Sequence, residues 1–160
     1  MQFLLYLHKK GEFQMNKVIV LYDSGFGNTK LIAEAIVDGM GDSASLLHVS
    51  EFTKEHLNNL TALIAGSPIN GFMPTEKMQA ALKSIPAGAL KGVKAASFDT
   101  RMHIWIHGDA AKKISKRLAA AGAEIIADPA LFRVTGKEGP LAEGEIERAK
   151  EWGRTIVKSL

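Results

Sequence analysis

The chain predicts an α/β protein: an open, doubly wound parallel sheet of five strands with helices on both faces. Three observations carry that expectation. Short apolar runs near residues 18–21, 45–49, 61–65, 94–98 and 124–127 alternate with segments of helical periodicity. The run at 61–65 is apolar nearly throughout, as a strand covered on both faces is. A length of 160 residues, with 46% hydrophobic and 23% charged content, fits one globular domain with a real core.

Val18-Ile-Val-Leu21 reads as the first strand. Asp23 and Ser24 end it, the chain turns through Gly25 and Gly27, and a helix runs to Met40 with Ile32, Ala35, Ile36 and Met40 on one face. Gly39 and Gly41 close that helix, and Ser45–Val49 forms the second strand. A short helical segment over Lys54–Leu60, capped by Ser50 or Thr53, leads to the third strand, Thr61–Ala65. Gly66–Pro74 is a loop by composition. A helix from about Thr75 places Met78, Ala81, Leu82 and Ile85 at helical spacing.

Pro86-Ala-Gly88 breaks that helix before the fourth strand, Lys94–Phe98, and a loop from Asp99 to Gly108. Asp109 caps a helix whose buried stripe is Ala111, Ile114, Leu118 and Ala121, closed by Gly122. Glu124–Ala127, resuming at Leu131–Val134, supplies the fifth strand. The last helix, roughly 144–159, is expected to bury Ile146, Ala149, Trp152 and Ile156.

Composition narrows the function classes. With no cysteine there is no disulfide framework, thiolate metal site or redox thiol, so any electron chemistry must come from a bound cofactor. The formal charge is only +3 and the cations are interleaved with acids, which does not indicate a nucleic-acid partner. No run approaches the ~20 apolar residues of a membrane helix. Phe3–Leu7 lacks the flanks of a secretory signal. A cytoplasmic protein is the expectation, with residues 1–14 an N-terminal extension ahead of a domain spanning 15–160.

The strand, glycine turn and helix start at residues 18–29 make a place for a phosphate. N–H groups at a new helix N-terminus lack internal partners, the helix dipole is positive there, and Ser24 and Thr29 add hydroxyls. The same Ser24, Asn28 and Thr29 would serve equally as ordinary helix caps. The segment is not a Walker A loop, because Asn28 stands where the lysine belongs. Nor is it the dinucleotide fingerprint, since Lys30 holds the third glycine's place. Asp23 and Asp99 invite comparison with a phospho-accepting receiver, but glycines and hydroxyls around Asp23 suit an anion better than a cation.

Tyr22-Asp-Ser-Gly-Phe-Gly-Asn-Thr29 resembles the FMN-phosphate loop of the flavodoxin family, whose pattern is a tyrosine, hydroxyl residues, then Gly-Asn-Thr. Typical members carry hydroxyls at the places of Gly25 and Phe26; flavodiiron-type domains often place an aromatic before that glycine. Gly66-Ser-Pro-Ile-Asn-Gly71 resembles the family's Gly-Ser-Pro-Thr-x-x-Gly segment, one residue shorter. Gly136–Ala149 resembles the tail of a bacterial and archaeal group of the same family.

The resemblance implies a flavodoxin-like sheet of order 2-1-3-4-5 and FMN as cofactor. Ser24, Gly25, Phe26, Gly27, Asn28 and Thr29 would hold the phosphate. Ser67, Pro68, Ile69, Asn70 and Gly71 would border the isoalloxazine ring, with Gly71 offering its backbone near N5. In the third loop Trp105 is the candidate to stack on the ring, and equally reads as an anchor between Ile104 and Ile106. Asp99, Thr100 and Arg101 would pair with the pyrimidine edge, and His103 and His107 titrate near neutral pH if they line the pocket.

The implied function is electron transfer between redox partner proteins. Electron-shuttle flavodoxins are commonly acidic, and this chain is not. Lys112, Lys113, Lys116 and Arg117 form a solvated helix face, or a dock for an acidic redox partner. Two alternatives stay open: an FMN-dependent oxidoreductase using NAD(P)H, a quinone or a porphyrinogen-like substrate, and a cofactor-free interaction module. No nicotinamide-binding motif is visible, and no catalytic residue or metal ligand is assigned.

Overall fold

The computed structural model describes residues 16–103 and 108–160. Its elements are β1 (Val18–Tyr22), α1 (Asn28–Met40), β2 (Ala44–His48), β3 (Ala62–Asn70), β4 (Met73–Pro74), α2 (Glu76–Lys83), β5 (Lys94–Met102), α3 (Ala110–Ala120), β6 (Glu124–Ile125), β7 (Ala130–Val134) and α4 (Glu145–Lys158). The short helical segment expected over 54–60 is a 3₁₀ turn at Lys54–Leu57, and a second 3₁₀ turn, Val49–Glu51, precedes it and takes Val49 from the expected second strand. The expected extension at 1–14, and the roles expected of Trp105 and His107, lie outside the described residues.

The sheet has seven strands in the order β2-β1-β3-β5-β6, with β4 on β3 and β7 on β5. The expected count of five is therefore corrected, and the two additions have separate causes. Asn70 pairs with Met73 to close an antiparallel hairpin, so β4 arises inside the expected loop. The fifth strand is split: both β6 and β7 run parallel to β5, and Pro129, which has no N–H to give a ladder, lies in the gap. With the hairpin strand set aside, the parallel strands follow the expected progression, the fifth in two pieces.

Alternation along the strands sends side chains to two cores. Ile19, Leu21, Leu63, Ala65 and Ala95 meet α2 and α3 through Met78, Leu82, Ile114 and Leu118. Val18, Val20, Ile64, Ala96 and Phe98 meet α1 and α4 through Ile32, Ile36, Ala149 and Ile156. The α1–α4 contact is backbone to backbone. A Cβ on Gly39 would lie 2.0 Å from the Lys150 carbonyl oxygen, and one on Gly153 would lie 2.4 Å from that of Ile36.

Ile146, expected to be buried, is exposed. Its neighbour Glu145 turns inward instead, accepting the Arg133 N–H at 2.6 Å and pairing with Arg148. Charge divides between the helices. On α4, Arg148 pairs with Glu145, Lys150 with Asp38 and Arg154 with Glu151. On α3, Lys112, Lys113, Lys116 and Arg117 are exposed and, among the described residues, make no ion pair with a carboxylate.

β3 and β5 each reach nine residues and overrun their expected ends. β1 stops opposite Gly66, while β3 continues beside β5 with Ser67 against Asp99 and Pro68 against Thr100. From Ser67 onward β3 is bordered by β5 but no longer by β1, an edge-like setting that a proline tolerates. These overruns bring two strand ends and a hairpin up beside the N-terminus of α1.

Candidate functional site

A cavity of about 440 Å³ opens at the carboxyl ends of β1, β3 and β5. Its size falls in the usual range of small-molecule sites, roughly 300–1,000 Å³. The first loop contributes Ser24, Gly25, Phe26, Asn28 and Thr29, and the hairpin contributes Pro68, Ile69, Asn70, Gly71 and Phe72. Thr100, Arg101, Met102 and Gly108 form the third side. Thr75, Val134 and Lys137 complete the lining, which among the described residues contains no carboxylate.

The first loop is built by its own side chains. Asp23 Oδ1 accepts the Ser24 N–H at 2.9 Å, and Ser24 Oγ accepts the Gly27 N–H at 3.0 Å. Gly27 takes φ of +93° as the residue before the helix, a conformation that favours glycine. The first intrahelical bond then runs from the Leu31 N–H to the Gly27 carbonyl. Among the described residues, the N–H groups of Gly25, Phe26, Asn28 and Thr29 meet no acceptor. No acid lies in the first turn of α1 to offset its dipole.

Thr29 is buried, and its hydroxyl lies 2.8 Å from that of Thr100 on β5. One proton suffices for a bond between two hydroxyls, so the pair retains a second O–H to give. Asn28, also on the cavity wall, donates from Nδ2 to the Glu138 carbonyl at 3.0 Å, tying α1 to the turn after β7. That turn brings Lys137 to the cavity wall.

Three expected site residues do not line the cavity. Gly27 instead shapes the first loop through its φ of +93°. Ser67 is buried, with its hydroxyl donating to the Pro68 carbonyl and accepting the Thr75 N–H, so it braces the hairpin. Asp99 is fully buried and accepts from Arg101 Nε at 2.8 Å and from the Ala111 N–H at 2.9 Å. It thereby joins β5 to the start of α3.

Arg101 is 6% exposed and pairs with both Asp99 and Asp109. Burial works against its charge, but the hydrogen bonds and charges of the two aspartates outweigh that, leaving the guanidinium above its ordinary value. Asp23 and Asp99, the carboxylates a receiver would cluster, are thus committed elsewhere; Asp23 also lies 3.2 Å from His48 Nε2. His103 is exposed.

The residues that sequence reasoning missed are Phe72, Thr75, Met102, Gly108, Val134 and Lys137. Met102 and Val134 come to the cavity because β5 and β7 extend to it. Phe72 signals itself only through the hairpin. The unpartnered amides, the Thr29–Thr100 hydroxyl pair and Lys137 stand beside apolar walls of Phe26, Ile69, Phe72, Met102 and Val134, an arrangement that suits a ligand with an anionic end and an apolar body.

Comparison with known proteins gives the same picture. A family model described as flavodoxin matches residues 20–152. The chain is 41% identical over 69 residues to a flavodoxin of Aquifex aeolicus, covering 41% of this chain and 37% of that one. It is 29% identical over 164 residues to an anaerobic nitric oxide reductase flavorubredoxin of Vibrio vulnificus, covering 96% of this chain and 31% of the relative. The chain therefore spans about a third of the length of these curated relatives. Among solved structures, flavodoxin 1 from Bacillus cereus superposes with a TM-score of 0.78 at 18% identity, covering 91% of this chain and 99% of that one.

Proposed function

The chain belongs to the flavodoxin family, whose members bind FMN and transfer electrons, and from that premise we propose that it holds FMN in the cavity described and passes electrons between protein partners. The carrying observation is that Gly25, Phe26, Asn28 and Thr29, whose amides meet no acceptor among the described residues, line a cavity in which those residues place no carboxylate. A phosphate monoester matches that set, since it accepts several hydrogen bonds and is favoured at a helix N-terminus.

In this reading Ser24 shapes the loop, while the Thr29–Thr100 hydroxyl pair and Lys137 add a donor and a charge to the amides. Phe26, Ile69, Phe72, Met102 and Val134 supply apolar walls that exclude water from a flat ring. Gly71, at the hairpin tip, offers its peptide to the ring, and Thr100–Met102 offer backbone groups to a polar edge. Trp105 keeps its proposed stacking role on the strength of the resemblance. When bound, FMN supplies the one- and two-electron chemistry that a cysteine-free chain lacks.

The test is spectroscopic. Purified protein mixed with FMN should bind it with a dissociation constant in the micromolar range or below (about 8 kcal/mol or more). It should then be reduced reversibly by dithionite and oxidise NAD(P)H no faster than free FMN does. A protein that ignores added FMN would remove the reading, and rapid NAD(P)H turnover would replace the carrier with an enzyme.

A further inference from the structure

A second groove, of about 120 Å³, is formed by β4, α2 and α3. That is below the roughly 300–1,000 Å³ of small-molecule sites, too little for a cofactor but enough for a protruding side chain. Leu82 and Ile114, both buried, close its base, and Met73, 38% exposed, gives it an apolar lip. Lys83, Lys113 and Arg117 stand around it, and among the described residues no carboxylate does.

The charge continues along α3, whose 11 residues include four cations and no acid. Lys112 with Lys116, and Lys113 with Arg117, are spaced i, i+4, an arrangement of like charges that weakens a helix. The patch therefore does nothing for the stability of α3, and an external group of opposite sign would relieve it. The groove also adjoins the cavity described above. Phe72 lines the cavity and Met73 lines the groove, consecutive residues with Cα atoms about 3.8 Å apart. Lys113 Nζ donates to the Phe72 carbonyl at 2.7 Å, so that α3 grips the hairpin.

We infer that this groove and its cationic rim dock an acidic protein partner, which seats one apolar side chain against Met73 and sets carboxylates against Lys83, Lys113 and Arg117. An apolar centre within a polar rim is the anatomy of a protein interface, and rim charges act chiefly on encounter rate and salt dependence. A second copy would bring the same positive face and be repelled. A polynucleotide backbone has no apolar group for the groove. A bilayer would take the apolar face of α3, but Ile114 and Leu118 are packed in the core. The dock stands on the groove and its charges; that the partner exchanges electrons with a cofactor beside Phe72 rests on the FMN reading.

The probe is a strongly acidic plant-type [2Fe–2S] ferredoxin, with strongly basic cytochrome c as its opposite. In the ¹⁵N-labelled full chain without FMN, at an ionic strength of about 0.01 M, ferredoxin should shift or broaden amides of β4, α2 and α3, and cytochrome c should not. Raising the ionic strength to about 0.15 M should weaken ferredoxin binding about tenfold or more. At the lower salt, K83E and R117E should each bind ferredoxin about three- to tenfold more weakly than K158E, which makes the same charge reversal on α4. M73A, with every charge in place, should lose about fivefold. With FMN bound, reduced ferredoxin free of dithionite should pass one electron from its cluster to the flavin, at a rate that falls in K83E and R117E in step with affinity.

Amides of β4, α2 and α3 that ignore ferredoxin or answer cytochrome c equally, or equal affinities in R117E and K158E, overturn the dock. Tighter binding of duplex DNA or of phosphatidylcholine–phosphatidylserine vesicles through the same amides also overturns it, as does their movement when the protein alone is concentrated. Full affinity in M73A removes the apolar seat. A chain that docks ferredoxin but takes up no FMN sinks the electron transfer and not the dock.

Discussion

Thr29 in the first turn of α1 and Thr100 near the end of β5 share a hydrogen bond, their hydroxyl oxygens 2.8 Å apart across 71 residues of sequence. The bond fixes the helix N-terminus against the central sheet and leaves one O–H of the pair to give. In the apoprotein, Thr29→Ala should cost about 1 kcal/mol of stability, the usual net value of one such bond. FMN affinity should fall further, by about tenfold to a hundredfold, as a donor to a charged oxygen is lost. Paired urea unfolding and FMN titration separate the effects; equal affinity at matched stability contradicts the assignment.

Asp99 holds a second junction, taking both Arg101 and the Ala111 N–H in a fully buried site. Removing one member of a buried ion pair leaves the other charge unsolvated, at a cost of about 3–5 kcal/mol. Asp109 remains beside Arg101 and brings Asp99→Ala to the lower end of that range. Chemical denaturation at neutral pH measures it, and a loss below about 1 kcal/mol would mean that Asp109 alone suffices.

Glu145 supplies the clearest pH dependence. Its carboxylate pKa lies below the ordinary value because Arg148 hydrogen-bonds it, with the Arg133 N–H adding to the effect against the opposing pull of burial. A depressed carboxylate pKa stabilises the fold above the unfolded-state value and loses that contribution as pH falls through the folded one. Glu145→Gln should therefore lower stability near neutral pH by about 1–2 kcal/mol, discounted for the exposure of Arg148. The acid limb of the stability curve should flatten. A variant with an unchanged acid limb would place the linkage elsewhere.

Gly153→Ala tests the contact between α1 and α4. Alanine is worth up to ~1 kcal/mol more than glycine inside an isolated helix. Here the added methyl meets the Ile36 carbonyl oxygen at 2.4 Å, and backbone has no rotamer by which to escape. Overpacking of this kind costs about 1–3 kcal/mol, so the net change should be destabilising. A rise in the urea midpoint would show that the helices separate easily.

How much of this was legible in the sequence depended on the signal each region carries. β1 and α1 follow directly from the aliphatic run at 18–21 and the spacing of Ile32, Ala35, Ile36 and Met40. The overrun of β3 was hidden because Gly66, Pro68 and Asn70 are turn formers by composition. Pairing with β5 overrides that preference. Ile146 looked buried by helical spacing, yet Glu145 takes the inward place, because the Arg133 N–H and Arg148 satisfy its charge. Ser67 and Asp99 were expected to hold the ligand, but neither lines the cavity and their polar atoms are spent on bracing its walls, which no local pattern signals. Lys137 and Phe72 had no periodic context to mark them.

The split of charge between α3 and α4 gives the molecule a preferred way up in an external field. At low ionic strength, a film formed on a negatively charged electrode should have the Lys112–Arg117 flank against the metal and the gripped hairpin close beside it. Since charges are screened beyond about 8–10 Å near physiological ionic strength, that alignment should fade as salt is added.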